Sequence, residues 1–237
     1  MTELHQKILK AFDQYESHAA IASKAGTNIT YGQLADNFSD LAGKLATRTK
    51  QKNVVLGILS NRCAEAYIGV LAAFLSCVRF VPLNPGLPAS RLKQIVSAGK
   101  IDFIAFDSAN AKVAKELEVQ SILIAIDSDR SELQKSFQAD NFECSDIDIA
   151  YQMFTSGSTG KPKGVPISYG SLAHYVTEIK KEIEFPAYLR YSQLFDLSFD
   201  LAMHDIFVTL SSGGTLVPAN SMAVSYTHLT LPTICSV

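Results

Sequence analysis

Apolar residues recur every three to four positions in two segments near the N-terminus, and this spacing predicts amphipathic helices. The first segment runs from Leu4 to Tyr15, with Leu4, Ile8 and Phe12 on one face. Before the second, Thr30 and Gln33 have the spacing of a capping box, in which the threonine caps the helix and the glutamine reaches back. Its predicted buried face comprises Leu34, Phe38, Leu41 and Leu45.

Short apolar runs then alternate with helical patterns along most of the chain. The predicted strands are 53–59, 79–83, 102–106, 121–126, 150–155, 191–195 and 215–218. The predicted helices are 64–76, 88–99, 110–117, 171–184 and an amphipathic helix over 201–210. Continuous apolar strands that alternate with helices are typical of a parallel sheet buried on both faces. We therefore expect an α/β fold, mostly a parallel sheet layered with helices, with a polar surface connection over 127–148.

Composition narrows the function classes. Of 237 residues, 47% are hydrophobic and 19% charged, and the net charge is −2, as in an ordinary globular protein. The absence of a basic excess argues against a nucleic-acid partner. The longest apolar run, residues 67–78, is too short to cross a bilayer, so no membrane partner is expected. The cysteines at 63, 77, 144 and 235 have no CxxC spacing, and we expect reduced thiols in a cytoplasmic protein.

One loop combines the groups that bind phosphate. It follows the predicted strand 150–155 and mixes glycines with hydroxyls and lysines. Backbone N–H groups, hydroxyls and ammonium groups all stabilise phosphate oxygens. The candidate phosphate-binding residues are Thr155, Ser156, Gly157, Ser158, Thr159, Gly160, Lys161, Lys163 and Gly164. A flexible, solvated Gly/Ser loop is the alternative. An ordinary P-loop is excluded, because only two residues separate Gly157 from Gly160 and Pro162 follows Lys161.

The segment from Thr155 to Gly164 resembles the signature of the adenylate-forming superfamily, which includes acyl-CoA synthetases, adenylation domains of nonribosomal peptide synthetases, and luciferase. Three further segments are similar to motifs of that family, in the same order. They are Ile29–Leu34 ("TYxEL"), Phe80–Arg91 ("YVPLDPxxPxxR") and Phe199 to Gly214 ("FDxSvxxxf…GG"). Together the four motifs cover about residues 28 to 217. One departure is Tyr169, which stands where the family often carries a histidine.

The resemblance implies a two-step reaction. A carboxylate attacks the α-phosphorus of ATP and releases pyrophosphate, and the acyl-adenylate then passes to a thiol of CoA or of a phosphopantetheinyl carrier protein. The loop would hold the β- and γ-phosphates, and Mg²⁺ would share their charge, although no carboxylate ligand for it stands out. No catalytic residue is assigned, because the family's adenylation lysine has no counterpart in this sequence.

The acid substrate is predicted from the "FDxS" motif, whose aspartate pairs with an α-amino group in amino-acid-activating members. The register Phe195–Ser198 matches the four letters best, whereas Phe199–Ala202 lies at the family-like distance from Gly213. The spacing favours Asp200, with Leu201 and His204 as further substrate-binding residues. In the alternative interpretation Asp200 only caps the following helix and His204 only packs.

The resemblance also predicts that the chain is incomplete. The adenine-binding "YGPTE" and ribose-binding "TGD" motifs are absent, so we assign residues 1–223 to a partial N-terminal domain. Residues 224–237 resemble a translated sequencing adapter, and we expect them to be non-native. Such a fragment should be inactive alone and should expose apolar surface. Two alternatives to an amino-acid ligase stay open: an acyl- or aryl-CoA ligase, and a non-catalytic nucleotide-binding fragment.

Overall fold

The computed structural model describes residues 1–22, 28–48, 54–126, 143–156 and 161–219. The helices are α1 (Glu3–Gln14), α2 (Tyr31–Arg48), α3 (Ala64–Leu75), α4 (Ala89–Gly99), α5 (Ala111–Glu116), α6 (Tyr169–Glu182) and α7 (Asp200–Leu210). The strands are β1 (Ala19–Ile21), β2 (Ile29–Thr30), β3 (Val55–Leu59), β4 (Arg79–Leu83), β5 (Phe103–Phe106), β6 (Gln120–Leu123), β7 (Ile149–Ser156), β8 (Pro162–Ser168), β9 (Arg190–Gln193) and β10 (Thr215–Pro218). The predicted tail, 224–237, and most of the predicted surface connection lie outside the described residues.

The larger sheet has six strands in the order β6-β5-β3-β4-β7-β8. Its first five strands are parallel to their neighbours, and β8 alone runs antiparallel, against β7. This arrangement confirms the predicted α/β fold with a mostly parallel sheet. The strand β8 was not predicted. Pro162 and Pro166 interrupt its pattern, and prolines within sheets are confined to edge strands such as this one.

A second, four-stranded sheet has the order β2-β1-β10-β9. Strand β10 pairs in parallel with both β9 and β1, so that Ile21 lies opposite Leu216. The strands β1 and β2 hold three and two residues, which is too short for a periodic pattern, and they were not predicted. The second sheet thus joins the two ends of the described chain. The turn before β10 depends on Gly213, whose φ of 76° suits glycine.

Helix α3 lies at the centre of the core. Every residue from Ala66 to Leu75 is buried, as expected for a helix that is apolar on all sides. It belongs to one apolar cluster with residues of α1, α2, α7 and both sheets. The apolar run 67–78 is therefore a buried helix and the turn that follows it. In the described part of the chain no helix is both long and apolar enough to cross a membrane.

The start of α2 confirms the predicted capping box. The backbone N–H of Gln33 donates to Thr30 Oγ1 at 3.2 Å, and the backbone N–H of Thr30 donates to Gln33 Oε1 at 3.0 Å. The predicted apolar faces of α1 and α2 are also buried. Helix α4 ends at Gly99, as predicted, and the left-handed residue Lys100 follows it. One detail was wrong: α7 is not amphipathic, because 206–210 are all buried.

Candidate active site

The predicted phosphate loop connects β7 to β8 at the end of a hairpin. Thr155 pairs with Lys163 across the two strands, and Thr155 Oγ1 lies 3.5 Å from the Lys163 carbonyl oxygen. Lys161 and Lys163 are both exposed. Gly157, Ser158, Thr159 and Gly160, four of the predicted phosphate-binding residues, lie outside the described residues. The hairpin therefore presents two cationic side chains beside the loop, as phosphate binding requires.

Gly164 is the glycine of this motif whose surroundings the structure defines. A Cβ added there would collide with the Gln152 side-chain amide and would lie 3.1 Å from Phe154 Cζ. Gln152 and Phe154 belong to β7, and Phe154 lies opposite Gly164 in the register of the hairpin. Glycine at 164 thus lets the two strands carry these larger side chains on the face they share.

No Mg²⁺ ligand is found in the hairpin. The described strands, 149–156 and 162–168, contain no acidic side chain. Carboxylates are the usual protein ligands of Mg²⁺. The hydroxyl and ammonium groups of the hairpin suit phosphate oxygens, and its described strands offer no carboxylate to a divalent cation.

Strand β7 ends at the same edge of the sheet as the parallel strands β3, β4 and β5. Ligands bind at this edge in open α/β sheets. Asp107 fixes the connections that follow β3 and β5. Its carboxylate accepts hydrogen bonds from Ser60 Oγ at 2.6 Å, from the Asn61 N–H at 3.2 Å and from the Asn110 N–H at 3.0 Å. The buried Asp107 is therefore a structural group, which holds two strand ends together beside the candidate site.

Asp200 is the first residue of α7, and its side chain is exposed. The interpretation of Asp200 as a helix cap is wrong, because the N-cap residue is Phe199. Asp200 Oδ1 accepts a hydrogen bond from the Leu201 N–H at 2.9 Å, and its position at a helix N-terminus stabilises the negative charge.

Asp196, the aspartate of the competing register, is engaged locally. Its Oδ1 accepts hydrogen bonds from the Ser198 N–H at 3.0 Å and from Ser198 Oγ at 2.7 Å. Such a bond to the backbone two residues on is typical of a turn-forming aspartate. The geometry thus gives Asp196 a role in the loop before α7, and it supports Asp200 as the ligand-binding candidate.

His204 lies one turn beyond Asp200 and contacts α6. Its Nδ1 is 2.9 Å from the Tyr175 hydroxyl, and the two rings meet edge to face at 5.8 Å. Burial lowers the pKa of His204, which favours the neutral imidazole. Burial, and after it the Asp200 charge, raises the pKa of Tyr175 and that of Tyr151, the latter to about 12. Tyr151 belongs to β7, and α6, which carries Tyr175, packs on both β7 and α7.

Leu201, the third predicted substrate-binding residue, is also exposed. It is one of three large apolar side chains that stand exposed within seven residues, together with Phe195 and Phe199. Exposed apolar groups grouped in this way mark ligand or protein contacts in many proteins. The surface beside Asp200 is therefore apolar, as a pocket for an acid's side chain would be.

Asp205 was not predicted as a site residue from the sequence, although its acidic side chain within the apolar run of α7 was a signal that could have indicated it. One carboxylate oxygen, Oδ2, is buried without a hydrogen-bond partner. Burial raises the pKa of Asp205 to about 6, and a bond from the Leu194 backbone opposes that rise. On the other side, Arg62 Nη1 donates to the Leu194 carbonyl. Asp205 and Arg62 thus hold the loop that leads into α7 from both sides.

A cavity of about 350 Å³ lies elsewhere, between α1, α6 and the end of α7. Its polar lining includes Lys7, Lys10 and Lys180, and none of the predicted site residues contributes to it. Lys7 pairs with Glu3 at 2.8 Å, and Lys180 donates to the Ser211 carbonyl at 3.1 Å. Lys7 and Lys180 thus already have partners within the fold. The cavity is not part of the candidate site.

Comparison with known proteins agrees with this geometry. A family model described as AMP-binding enzyme matches residues 9–232. Surfactin synthase subunit 2 of Bacillus subtilis is 31% identical over 199 residues, which are 81% of this chain and 5% of that protein. Cyclosporin synthetase simA of Tolypocladium inflatum is 32% identical over 215 residues, which are 89% of this chain and 1% of that protein.

Two solved structures have the same fold. The Vibrio cholerae adenylation domain AlmE, solved with glycyl-adenosine-5'-phosphate, matches with a TM-score of 0.82 and 25% identity. IdnL7 matches with a TM-score of 0.78 and 28% identity. These alignments cover 94% and 93% of this chain but 46% of each solved chain. The chain therefore spans just under half the length of these two structures.

Proposed function

Because this chain belongs to the AMP-binding enzyme family, we propose that it is the phosphate-binding and acid-binding part of an amino-acid adenylation domain. The reaction joins an amino acid to the AMP moiety of ATP and releases pyrophosphate. The observation that carries the proposal is the packing of α6 against both strands of the hairpin and against α7, where the Tyr175 hydroxyl lies 2.9 Å from His204 Nδ1. One helix thus links the hairpin proposed for the phosphates to the helix that begins with Asp200.

The proposed reaction needs no general base. The attacking carboxylate is already ionised, and the barrier comes from bringing an anion to a polyanion, so positioning and charge neutralisation dominate. Lys161 and Lys163 supply two exposed ammonium groups at the hairpin. Asp200 supplies the opposite charge, which pairs with an α-ammonium group and excludes substrates without one. Since the hairpin offers no carboxylate, the proposal assigns no residue of this chain to Mg²⁺.

The amino acid's side chain would rest on Leu201 and on His204, which is held by Tyr175. The second step passes the aminoacyl group to the thiol of a phosphopantetheinyl carrier protein. Support for this acceptor comes from the similarity to surfactin synthase and cyclosporin synthetase. We also propose that this chain does not turn over alone, because it matches 46% of each solved chain.

The first test is ATP binding to the chain itself, measured with a fluorescent ATP analogue. The expected result is saturable binding that weakens about tenfold in Lys163→Ala, the loss of one charge-assisted contact of about 1.4 kcal/mol. Lys112→Ala is the matched control, because Lys112 is exposed on α5, beside β5 and β6 at the opposite edge of the sheet. Equal weakening in both variants, or no binding, would contradict the phosphate site.

The second test is amino-acid-dependent exchange of labelled pyrophosphate into ATP. It uses the chain extended to the length of the solved adenylation domains, beside the chain as it stands. Exchange driven by one amino acid, lost in Asp200→Ala and kept in Asp13→Ala, is expected from the extended protein only. Asp13 is an exposed aspartate on α1. Exchange driven by fatty or aromatic acids and insensitive to Asp200→Ala would instead indicate an acyl-CoA ligase.

A further inference from the structure

Three potential metal ligands from distant parts of the chain meet away from the candidate active site. His5 lies on α1, Cys77 lies in the turn between α3 and β4, and Cys144 lies just before β7. His5 Nε2 is 3.9 Å from Cys77 Sγ and 3.8 Å from Cys144 Sγ, and the three ligand atoms all lie within 4.8 Å of one another. Neither the hairpin nor α7 contributes to this group.

The imidazole of His5 is held so that one nitrogen faces the sulfurs. The ring is fully buried and stacks on Phe74 at 4.2 Å. Nδ1 lies 2.8 Å from Thr2 Oγ1, and Nε2 lies 3.0 Å from the Phe74 carbonyl oxygen. A hydroxyl both donates and accepts, so Thr2 is a partner for either tautomer. The backbone N–H of Thr2 also donates to Nδ1 at 3.3 Å, so Nε2 carries the ring proton here and donates it to the Phe74 carbonyl oxygen. A metal on Nε2 would take the place of that proton, and Nδ1–H would then donate to Thr2 Oγ1.

The backbone places Cys77 in an uncommon conformation. Its φ of 55° lies in the left-handed region, where glycine or asparagine usually ends a helix. A side chain there is less favourable than glycine, because its Cβ crowds the neighbouring backbone. Cysteine at this position is therefore conformationally less favourable than the glycine that the turn would accept. The turn directs the Cys77 sulfur toward His5.

Two buried oxygens near this group have no hydrogen-bond partner. They are Ser76 Oγ, next to Cys77 in the chain, and Tyr169 Oη, whose ring lies 5.4 Å from that of His5. Tyr169 is 1% exposed. Buried polar groups without a partner are rare in folded proteins, and each one calls for an explanation. A bound polar species at this place, together with water in its coordination sphere, would supply partners for both.

We propose that His5, Cys77 and Cys144 bind a divalent, thiol-seeking cation of the zinc class, with the Phe74 carbonyl oxygen or a water as fourth ligand. Two thiolates and an imidazole are ligands that Zn²⁺ prefers. Tetrahedral bonds of about 2.3 Å to sulfur and about 2.0 Å to nitrogen place S and N about 3.5 Å apart, so each sulfur moves a few tenths of an ångström closer to Nε2 on binding. Binding releases two protons, one from each thiol.

The test uses the whole chain carrying Cys235→Ser, which removes the cysteine outside the described residues, after chelator and reductant treatment. Titration with Co²⁺ should give thiolate-to-cobalt charge-transfer and tetrahedral ligand-field bands that saturate at one ion per chain and disappear when Zn²⁺ is added. Cys77→Ser and Cys144→Ser should abolish them. The matched control is Cys63→Ser, since Cys63 lies beside Ser60 and Asp107 and contacts neither His5 nor the other thiols. The bands should persist there.

A second measurement needs no variant that might misfold. Zn²⁺ should protect Cys77 and Cys144 from alkylation at least tenfold and should leave Cys63 unprotected, as read by mass spectrometry of peptides. Absence of the cobalt bands, their persistence without Cys144, or equal protection of all three thiols would overturn the proposal. A Cys77–Cys144 disulfide that persists after mild reduction of the metal-free chain would also overturn it, because no thiol would then be left to bind the metal.

Discussion

The Tyr175 hydroxyl on α6 lies 2.9 Å from Nδ1 of His204 on α7. Because burial lowers the pKa of His204, its imidazole is neutral near pH 7, and the tyrosine hydroxyl complements it as donor or acceptor. This contact fixes the imidazole beside Asp200. Under the proposed role of His204 in substrate binding, the specificity of the site depends on α6, an element outside the sequence motif that contains His204.

Tyr175→Phe should therefore weaken amino-acid binding. Loss of one hydrogen bond of about 1 kcal/mol predicts an increase of about fivefold in KM for the amino acid. The KM for ATP should not change. Pyrophosphate exchange in the extended domain measures both constants. Tyr188→Phe is the control, because the Tyr188 ring packs on Tyr15 and His18, and its backbone N–H donates to the Gly213 carbonyl beyond the end of α7, nine residues from His204. Unchanged kinetics in Tyr175→Phe would show that His204 does not need this contact.

Gly164→Ala should destabilise the hairpin. The new methyl group meets the Gln152 amide and Phe154, and overpacking of this kind costs about 1–3 kcal/mol. Urea unfolding of the chain measures the loss. Gln152→Ala in the same chain should restore most of it, because it removes the atoms that collide. Gly43→Ala, on α2 with no atom within 4 Å of the new Cβ, should be neutral or stabilising. An equal loss in both glycine variants would contradict the packing argument.

The capping box of α2 should have a measurable effect on stability. Thr30→Ala removes the acceptor of the Gln33 N–H and should lower the free energy of unfolding by about 1 kcal/mol. Ser39→Ala is the comparison within the same helix. The Ser39 hydroxyl only donates back to the Ala35 carbonyl, at 2.7 Å, and alanine has the higher helix propensity. A Thr30→Ala protein as stable as Ser39→Ala would show that the box contributes nothing.

The raised pKa of Asp205 predicts that its contribution to folding stability falls as the pH rises, which is the reverse of the usual behaviour of a carboxylate. Its pKa is about 6 in the folded state and 3.8 ordinarily, so the folded state holds the proton more tightly. Stability from this group is present below pH 4 and is lost as the pH rises through 6. Asp205→Asn should remove that loss. Because the carboxyl is only partly buried, the gain above pH 7 should be on the order of 1 kcal/mol.

Urea unfolding at pH 4 and pH 7.5 measures the difference, with Asp13→Asn as the exposed control. The variant and the unsubstituted chain should converge at pH 4 and separate at pH 7.5. A constant difference at both pH values would mean that Asp205 acts through packing and not through its charge.

Periodicity and local chemistry were enough to predict much of the fold. The helices α1, α2 and α3 and the strands β4 and β10 follow from apolar spacing, and the capping box follows from two residues three apart. The missed strands have a physical reason. β1 and β2 are too short to show a period, and β8 contains two prolines, so its pairing is fixed by β7 and not by its own sequence.

The candidate site was predicted unevenly for a similar reason. The phosphate loop is contiguous, so its chemistry is readable from the sequence. Asp200 was placed by its distance from Gly213, but its exposure depends on the packing of α7. The contact of His5 with Cys77 and Cys144 spans 72 and 139 residues, and no local pattern contains it. A prediction based on sequence spacing cannot find a group of residues that only the tertiary structure brings together.

The pairing of β1 with β10 has a consequence for synthesis of the chain. The Tyr31 hydroxyl, fully buried at the start of α2, donates to the Gly214 carbonyl at 2.7 Å across 183 residues. At about 5–20 residues per second, a ribosome needs roughly 10 to 40 s to make that stretch. During this interval β1 has no partner on its β10 side and the apolar face of α2 is incompletely covered. Until β10 emerges, the nascent chain therefore exposes an unpaired strand edge and an apolar helix face, the kinds of surface that chaperones bind.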